Sequence, residues 1–141
     1  LVGPDEEGLL DQLGRRKLNA PGLVRWLGAT SEPERYMAST DVLVLPSYRE
    51  GFGSVIIEAA ACAIPTVAYR IDGVIDAVVE ERTGVLVEVG DIEALAAAML
   101  DVSRDRDGRQ RLGSEARDRV SKEFSSAVVT AEWVALYKPL L

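Results

Sequence analysis

Short apolar runs alternate along the chain with longer segments in which apolar residues recur every three or four positions. This alternation is typical of parallel β-α-β units, because each strand needs a helix that covers one face of the sheet. The run Val42–Leu45 is continuously apolar, as expected for a strand that is buried on both faces. The other predicted strands are Leu1–Val2, Leu23–Leu27, Thr66–Tyr69 and Val85–Val89.

The segments between the strands carry helical periodicity and polar residues suited to helix starts. Ser31–Glu34 has the capping-box pattern with a proline in the first turn, Asp91 precedes another helix, and Ser125 or Ser126 precedes the last one. The predicted helices are Glu6–Leu18, Pro33–Ser39, Ser54–Cys62, Asp91–Asp101, Asp107–Phe124 and a final helix that runs through Tyr137. We therefore predict an α/β fold, a three-layer α/β/α doubly wound parallel sheet, formed by residues 1–141 as a single domain.

Length and composition narrow the class of protein. A chain of 141 residues is long enough for one core but not for two. The net charge of −7, from 16 basic and 23 acidic residues, argues against nucleic-acid binding. The lack of an 18-residue apolar run, the lack of a signal-peptide pattern at the first residues and the single cysteine favour a cytoplasmic protein. Because the chain has no histidine, His-based triads and most zinc sites are excluded.

In doubly wound folds, ligands bind beyond the carboxyl ends of the strands, where helices begin. This rule indicates three segments, Gly3–Pro4, Pro46–Ser54 and Arg70–Val74. In the second segment, Gly51 and Gly53 carry no Cβ, so the backbone can approach a ligand closely. The N–H groups of the helix start, from Ser54 to Ile56, would point at that ligand, and the helix dipole favours a diphosphate there.

Two glutamates near this helix start offer carboxylates to a sugar. Glu58 lies about one turn further in, on an otherwise apolar helix, and would need donors such as ribose hydroxyls if it were buried. Glu50, at the strand end, could accept hydrogen bonds from sugar hydroxyls. A solvent-facing glutamate at 58 and a plain loop acid at 50 fit the spacing equally well, and turn geometry alone accounts for the glycines. These alternatives stay open at this point.

The same segment resembles a family signature. Glu50 and Glu58, with seven residues between them, stand in EGFGSVIIEAAAC, which is similar to the E-x7-E motif of the family 4 glycosyltransferases. Further similar stretches follow the family's order: Val24–Gly28, Tyr36–Leu45, Thr83–Val87, Gly90–Ala96 and Lys122–Ser125. The chain thus resembles, over nearly all of its length, the C-terminal donor-binding half of a retaining enzyme with the GT-B fold.

This resemblance implies roles for individual residues. Glu50 would hold hydroxyls of the donor sugar and is the candidate catalytic residue, and Glu58 would bind the ribose 2′- and 3′-hydroxyls. The remaining residues of the implied donor site are Gly51, Phe52, Gly53, Ser54 and Val55, with Leu27 beside the base and Gly3 in the same cleft. The helix dipole and basic residues would take the place of a metal ion, so we expect no metal and no cofactor beyond the nucleoside-diphosphate sugar, of UDP, GDP or ADP type.

The resemblance also implies more protein than this sequence holds. The family's acceptor-binding N-terminal domain and its G-R-L-x-x-x-K-G segment are not matched, so we expect an N-terminally truncated donor half that is inactive alone. In the strand order 3-2-1-4-5-6, the first strand and helix would be missing, which leaves a gap between Leu1–Val2 and Val42–Leu45. The acceptor, a glycan, lipid-linked or small molecule, would bind through the other domain. Cell-envelope polysaccharide or lipopolysaccharide synthesis at the inner face of the membrane is a further expectation.

Two alternatives from other classes stay open. One is a sugar-nucleotide epimerase of the same fold, although that class normally relies on acid and base residues that include histidine. The other is a non-catalytic nucleotide-binding module.

Asp105 and Asp107 have the D-x-D spacing of metal-dependent glycosyltransferases of another fold, but they lie between helices, so no metal site is predicted. Cys62, Trp133 and Tyr137 are predicted to be packed residues.

Overall fold

The computed structural model describes residues 24–25 and 27–140. Its helices and strands are, in chain order, α1 (Pro33–Met37), β1 (Leu43–Leu45), α2 (Ser54–Ala61), β2 (Thr66–Tyr69), α3 (Val74–Ala77), β3 (Gly84–Val87), α4 (Ile92–Arg104), α5 (Arg106–Glu123), α6 (Ser126–Tyr137) and a 3-10 helix (Lys138–Leu140). The chain divides into two compact units, Leu1–Tyr36 and Met37–Leu141, which are described separately. The single-domain prediction stays a prediction.

The second unit is built on three parallel strands in the order β1-β2-β3. Thr66 of β2 pairs with Leu43 of β1 on one side and with Gly84 of β3 on the other. Because the strands are parallel, their carboxyl ends lie at one edge, and the segments that follow β1 and β2 begin side by side. These strands were predicted from the apolar runs, with bounds that differ by one or two residues.

Helices cover both faces of this sheet. Ala68 packs on one face with residues of α2 and α3, whereas Val67 and Tyr69 pack on the other with residues of α4 and α5. Val67 is fully buried, and full burial of such a side chain contributes roughly 1.5–3 kcal/mol. The two faces of the core consist of Ile56, Ala68, Val74, Ala77, Val78 and Leu86, and of Val67, Tyr69, Leu95, Val102 and Leu112. The predicted three-layer α/β/α architecture is therefore confirmed.

Short polar residues begin the long helices, as the sequence predicts for Asp91 and Ser125. Asp91, Asp105 and Ser125 are the N-caps of α4, α5 and α6, and their side chains accept from the backbone N–H three residues later at 2.8, 2.9 and 3.5 Å. Helix α5 thus begins one residue before the predicted start at Asp107. The first aspartate of the D-x-D pair, Asp105, is thus a helix cap. It accepts a hydrogen bond from an N–H of the first turn that has no partner within the helix.

The helix α3 was not predicted from the sequence. Its four residues are too few to show a helical period, and it exists because Val74 and Ala77 are both buried against β2 and α2. Helix α1 is also shorter than predicted, since it ends at Met37. The hydroxyl that accepts near its start belongs to Thr30, which takes the Glu32 N–H at 3.1 Å, so the predicted capping box at Ser31–Glu34 is wrong.

Helix α2 ends in a left-handed turn at a residue that is not glycine. Ala63 has φ 58, its N–H donates to the Ala60 carbonyl at 2.9 Å, and the Ile64 N–H reaches back to the Ala59 carbonyl at 3.0 Å. This pair of hydrogen bonds is the Schellman arrangement, in which glycine is the usual left-handed residue. Gly113 of α5 lies against the Ala63 carbonyl, so closely that a Cβ there would clash with the oxygen.

The first unit is described only from Val24 onwards. Val24, Arg25 and Leu27 lie outside any strand. The predicted strand Leu23–Leu27 is therefore wrong at these three positions. A strand is defined by the ladder to its neighbour, and the predicted neighbour, Leu1–Val2, lies outside the described residues. The predicted helix Glu6–Leu18 and the predicted gap in the sheet also depend on residues outside the described part.

Several residues predicted to be packed are at the surface. Cys62 is exposed at the end of α2. Trp133 and Tyr137 remain 54% and 51% exposed, and they stack on each other with ring centroids 5.7 Å apart. The expectation that these three side chains are packed is wrong: Cys62 lies at the exposed C-cap of α2, and α6 buries none of its residues. Among the residues that the structure describes, no helix is long and apolar enough to cross a bilayer.

Candidate functional site

The Glu50–Gly53 loop follows β1 and leads directly into α2. Gly53 has φ 65 and ψ 49, a left-handed conformation that glycine adopts at little cost, and as the N-cap it has no side chain to offer. Over the described part of the chain, no acceptor contacts the N–H groups of Ser54 and Val55. The Ile56 N–H donates to the Gly53 carbonyl at 2.8 Å. The helix start therefore offers two free donors, one fewer than predicted.

The segment after β2 packs directly on this loop. Gly73, with φ 83, is the N-cap of α3. A Cβ at Gly73 would lie 2.7 Å from the carbonyl oxygen of Glu50 and 2.6 Å from that of Gly51, closer than real Cβ contacts come. Only glycine fits here, so the loop carbonyls rest on the Gly73 backbone. Two of the three segments indicated by the strand-end rule thus adjoin each other.

An open cleft of about 420 Å³ is lined by both segments, through Tyr48, Arg49, Glu50, Ile71 and Asp72. Its volume lies within the range of small-molecule sites, roughly 300–1,000 Å³. Of its lining residues, only Glu50 was predicted as a site residue. Asp72 is not among the predicted site residues, although the strand-end rule covers its position. The signal for Tyr48 and Arg49 was their place between the strand end and Glu50.

The two glutamates occupy different environments. Glu50 is half-buried and lines this cleft, whereas Glu58 is exposed in the second turn of α2 and is not among the cleft residues. An exposed carboxylate needs no protein partner, so the argument from burial does not apply to Glu58. Both remain predicted ligands of the donor.

The other predicted site residues of this segment have different exposures. Gly51, Phe52 and Ser54 are exposed, Gly53 is buried, and Val55 is half-buried against the core face that α2 covers. The three exposed residues are accessible to a ligand at the helix start. Their donor-binding roles also stay predictions.

A cluster from the end of α5 supports the loop, and the sequence reasoning missed it. The rings of Phe52 and Phe124 are tilted by 56°, with centroids 5.5 Å apart. The Arg119 guanidinium lies 5.1 Å from the centroid of the Phe124 ring and donates to the carbonyls of Asp76 and Ala77 at 2.8 and 2.7 Å. The only signal in the sequence was the stretch Lys122–Ser125, which contains Phe124.

Two predicted site residues belong to the first unit. Gly3 lies outside the described residues. Leu27 is half-buried and lies outside any strand. Their assignment to the donor cleft stays a prediction. No group of three or more Cys, Asp or Glu side chains in the described part of the chain could hold a metal ion.

Comparison with known proteins gives the family. The profile of "Glycosyl transferases group 1" matches residues 2–119. The capsular polysaccharide biosynthesis glycosyltransferase CapM of Staphylococcus aureus is 37% identical over 111 residues, which are 79% of this chain and 29% of CapM. The chain spans about a third of the length of the curated relatives it matches.

Solved structures have the same fold. The sucrose-phosphate synthase of Thermosynechococcus elongatus superimposes with a TM-score of 0.84 at 32% identity, over 99% of this chain and 37% of that one. HepE of Anabaena, in complex with UDP, gives a TM-score of 0.85 at 28% identity, over 100% of this chain and 40% of HepE. The predicted family and fold are confirmed by these matches. The chain belongs to the group 1 family of glycosyl transferases.

Proposed function

We propose that this chain is the donor-binding half of an enzyme that transfers a sugar from a nucleoside-diphosphate sugar to an acceptor hydroxyl. The start of α2 carries the proposal. There, after β1, which is half-buried rather than buried on both faces as the sequence predicts, left-handed Gly53 leaves the N–H groups of Ser54 and Val55 without an acceptor in the described part of the chain. Free N–H groups at the positive end of a helix favour a phosphate or diphosphate.

The surrounding residues suit the rest of such a donor. Glu58, exposed one turn further along α2, would accept hydrogen bonds from the two ribose hydroxyls. Glu50 lines the adjoining cleft and would hold hydroxyls of the sugar, so that the anomeric carbon is oriented toward the acceptor. Gly51 and Phe52 would lie against the sugar. The family resemblance also predicts donor contacts for Leu27 and Gly3.

The proposed reaction breaks the bond between the anomeric carbon and the diphosphate oxygen. The acceptor oxygen forms the new bond on the same face of the sugar, with retention, and its proton leaves to a base. In the transition state, charge develops on the departing diphosphate, where the N–H groups of Ser54 and Val55 and the helix dipole would stabilise it. This stabilisation would need no metal ion. The acceptor would bind to residues beyond this chain, so the chain alone would not transfer sugar.

Named relatives support the choice of substrate class. HepE has been solved with UDP and with UDP-glucose, and TarM of S. aureus with UDP, α-GlcNAc-glycerol and fondaparinux. CapM is named for capsular polysaccharide and LpsE of Rhizobium meliloti for the lipopolysaccharide core. We accordingly propose UDP as the first nucleotide to test and a cell-envelope glycan as the product. The enzyme would work in the cytoplasm, at the inner face of the membrane.

Calorimetric titration of the complete gene product with UDP, GDP and ADP tests the proposal. We expect one of the three to bind, and Glu58→Ala to weaken it about 10- to 100-fold, since a hydrogen bond to a charged group contributes about 1.5–3 kcal/mol. Glu132→Ala, which removes an exposed glutamate of α6, is the matched control and should bind like the wild type.

Three outcomes would contradict different parts of the proposal. Equal binding by the Glu58→Ala variant would remove Glu58 from the site. Binding without any detectable sugar transfer by the complete protein would favour a nucleotide-binding module. Failure of all three nucleotides to bind the folded wild type would contradict the proposed function.

A further inference from the structure

The Glu50–Gly53 loop is supported from two sides by segments that are distant in the sequence. On one side, the Gly73 backbone lies against the carbonyl oxygens of Glu50 and Gly51. On the other, the Phe52 ring contacts the Phe124 ring. Phe52 is 43% exposed, so this ring contact, rather than burial in the core, limits where the loop can lie.

Arg119 of α5 joins the two supports. Its side chain is only 19% exposed. Two guanidinium nitrogens donate to the last carbonyls of α3, those of Asp76 and Ala77, and the third donates to Glu123 at 2.9 Å. The central carbon of the group, Cζ, lies over the Phe124 ring, 5.1 Å from its centroid. The guanidinium therefore ties the end of α3 to the residue that contacts the loop.

Together these contacts form a closed series of interactions that begins and ends at the Glu50–Gly53 loop. It runs from the Glu50–Gly53 loop to Gly73, along α3 to Arg119, through Phe124 to Phe52, and back into the loop. Each link is a short contact between groups with little freedom: a backbone without a Cβ, two helix-end carbonyls, a planar cation and two aromatic rings. A change at Arg119 would release both supports at once.

We infer that Arg119 is a positioning residue, which acts through Phe124 and α3 to hold the Glu50–Gly53 loop in the conformation that binds the donor. The inference rests on the proposed function. No ligand contact is assigned to Arg119 itself. Its role is to reduce the number of conformations of the loop before the nucleotide arrives, and such preorganisation raises affinity.

Four substitutions distinguish the contribution of the Arg119 cation from that of the Phe124 ring and from that of another arginine on the same helix. Arg119→Gln removes the cation and two of the donors, and Phe124→Leu removes the ring while keeping an apolar side chain. Phe124→Tyr keeps the ring and is the conservative replacement. Arg117→Gln, an exposed arginine on the same helix, is the matched control. Each variant is made in the complete gene product and titrated with UDP, or with GDP or ADP if the wild type binds one of those instead.

We expect Arg119→Gln and Phe124→Leu each to weaken nucleotide binding about tenfold, or about 1.4 kcal/mol, because a loop that is no longer held in place loses conformational freedom when the nucleotide binds. Phe124→Tyr and Arg117→Gln should bind like the wild type. Thermal unfolding of each variant is recorded alongside, so that a loss of affinity in a fully folded protein is distinguished from unfolding. If Arg119→Gln does not fold, the pair Phe124→Leu and Phe124→Tyr decides.

A double-mutant cycle measures whether Arg119 and Phe52 act together on nucleotide affinity, which a general loss of stability would not produce. If Arg119 acts through the aromatic contact, Arg119→Gln should cost less affinity in a Phe52→Leu background than in the wild type. Additive losses would overturn the inference, as would wild-type affinity in Arg119→Gln and Phe124→Leu. If Glu58→Ala loses binding while both of these variants keep it, the proposed function stands and the inference fails. If the wild type binds none of the three nucleotides, both fail.

Discussion

Ala63 closes α2 with φ 58, a left-handed conformation that costs a residue with a Cβ roughly 1–2 kcal/mol. A helix with alanine at this position can either bear the cost or end with another cap. The Schellman hydrogen bonds of Ala63 and Ile64 show that the cap is kept and the cost is borne. Gly113 of α5 accommodates the Ala63 carbonyl and holds the turn in place.

Ala63→Gly should therefore stabilise the protein. We expect the free energy of unfolding to rise by about 1 kcal/mol, since glycine adopts positive φ without a Cβ clash. The measurement is urea unfolding of the complete gene product, followed by hydrogen exchange at the amides of α2 so that the signal comes from this unit. Ala61→Gly is the control within the exposed face of α2, and it should destabilise by about 1 kcal/mol. A loss of stability in Ala63→Gly would contradict this account of the cap.

At the scale of elements, the start of α3 fixes the Glu50–Gly53 loop. Gly73 contributes two properties, a φ of 83 and the absence of a Cβ where the carbonyl oxygens of Glu50 and Gly51 lie. Gly90 has the same kind of φ, 82, but a Cβ there would meet only the Tyr48 hydroxyl, at an ordinary 3.9 Å. A comparison of the two glycines therefore distinguishes the cost of a positive φ from the cost of a steric clash with the loop carbonyls.

Gly73→Ala should be much more damaging than Gly90→Ala. Both substitutions bear the cost of positive φ, about 1–2 kcal/mol, and Gly73→Ala adds a clash with fixed carbonyls, typically another 1–3 kcal/mol. Because the clash displaces the loop, nucleotide affinity should also fall in Gly73→Ala and stay unchanged in Gly90→Ala. Unfolding and nucleotide titration of both variants check this expectation. Equal affinities in the two variants would show that the loop does not depend on the Gly73 contact.

The elements that the sequence predicts well are those with a long or continuous pattern. Val42–Leu45 and Thr66–Tyr69 are apolar runs, and Asp91 and Ser125 have the chemistry of helix caps, so local residues determine them. Helix α3 has only four residues and forms through tertiary burial. The contacts of Gly73 and Arg119 join segments far apart in the chain, and no local pattern predicts such contacts.

At the scale of the whole molecule, the motifs predict the family and the α/β/α layers, while the roles of individual site residues stay predictions. Glu50 lines a cleft formed by the segments that follow β1 and β2. Such a site is expected from the rule that ligands bind beyond the carboxyl ends of parallel strands. The sequence leaves the exposure of Glu58 undecided, because the other residues of α2 are almost all apolar and no polar face marks the side that meets water. The chain spans about a third of its curated relatives, so transfer is expected of the complete protein.

The most direct test is a crystal structure of the complete gene product with the nucleotide that it binds. We predict that oxygens of the diphosphate lie about 3 Å from the backbone nitrogens of Ser54 and Val55 and that the ribose hydroxyls donate to the Glu58 carboxylate. A sugar moiety, where present, should occupy the cleft beside Glu50. A nucleotide bound elsewhere, with no contact to the start of α2, would contradict the proposed site.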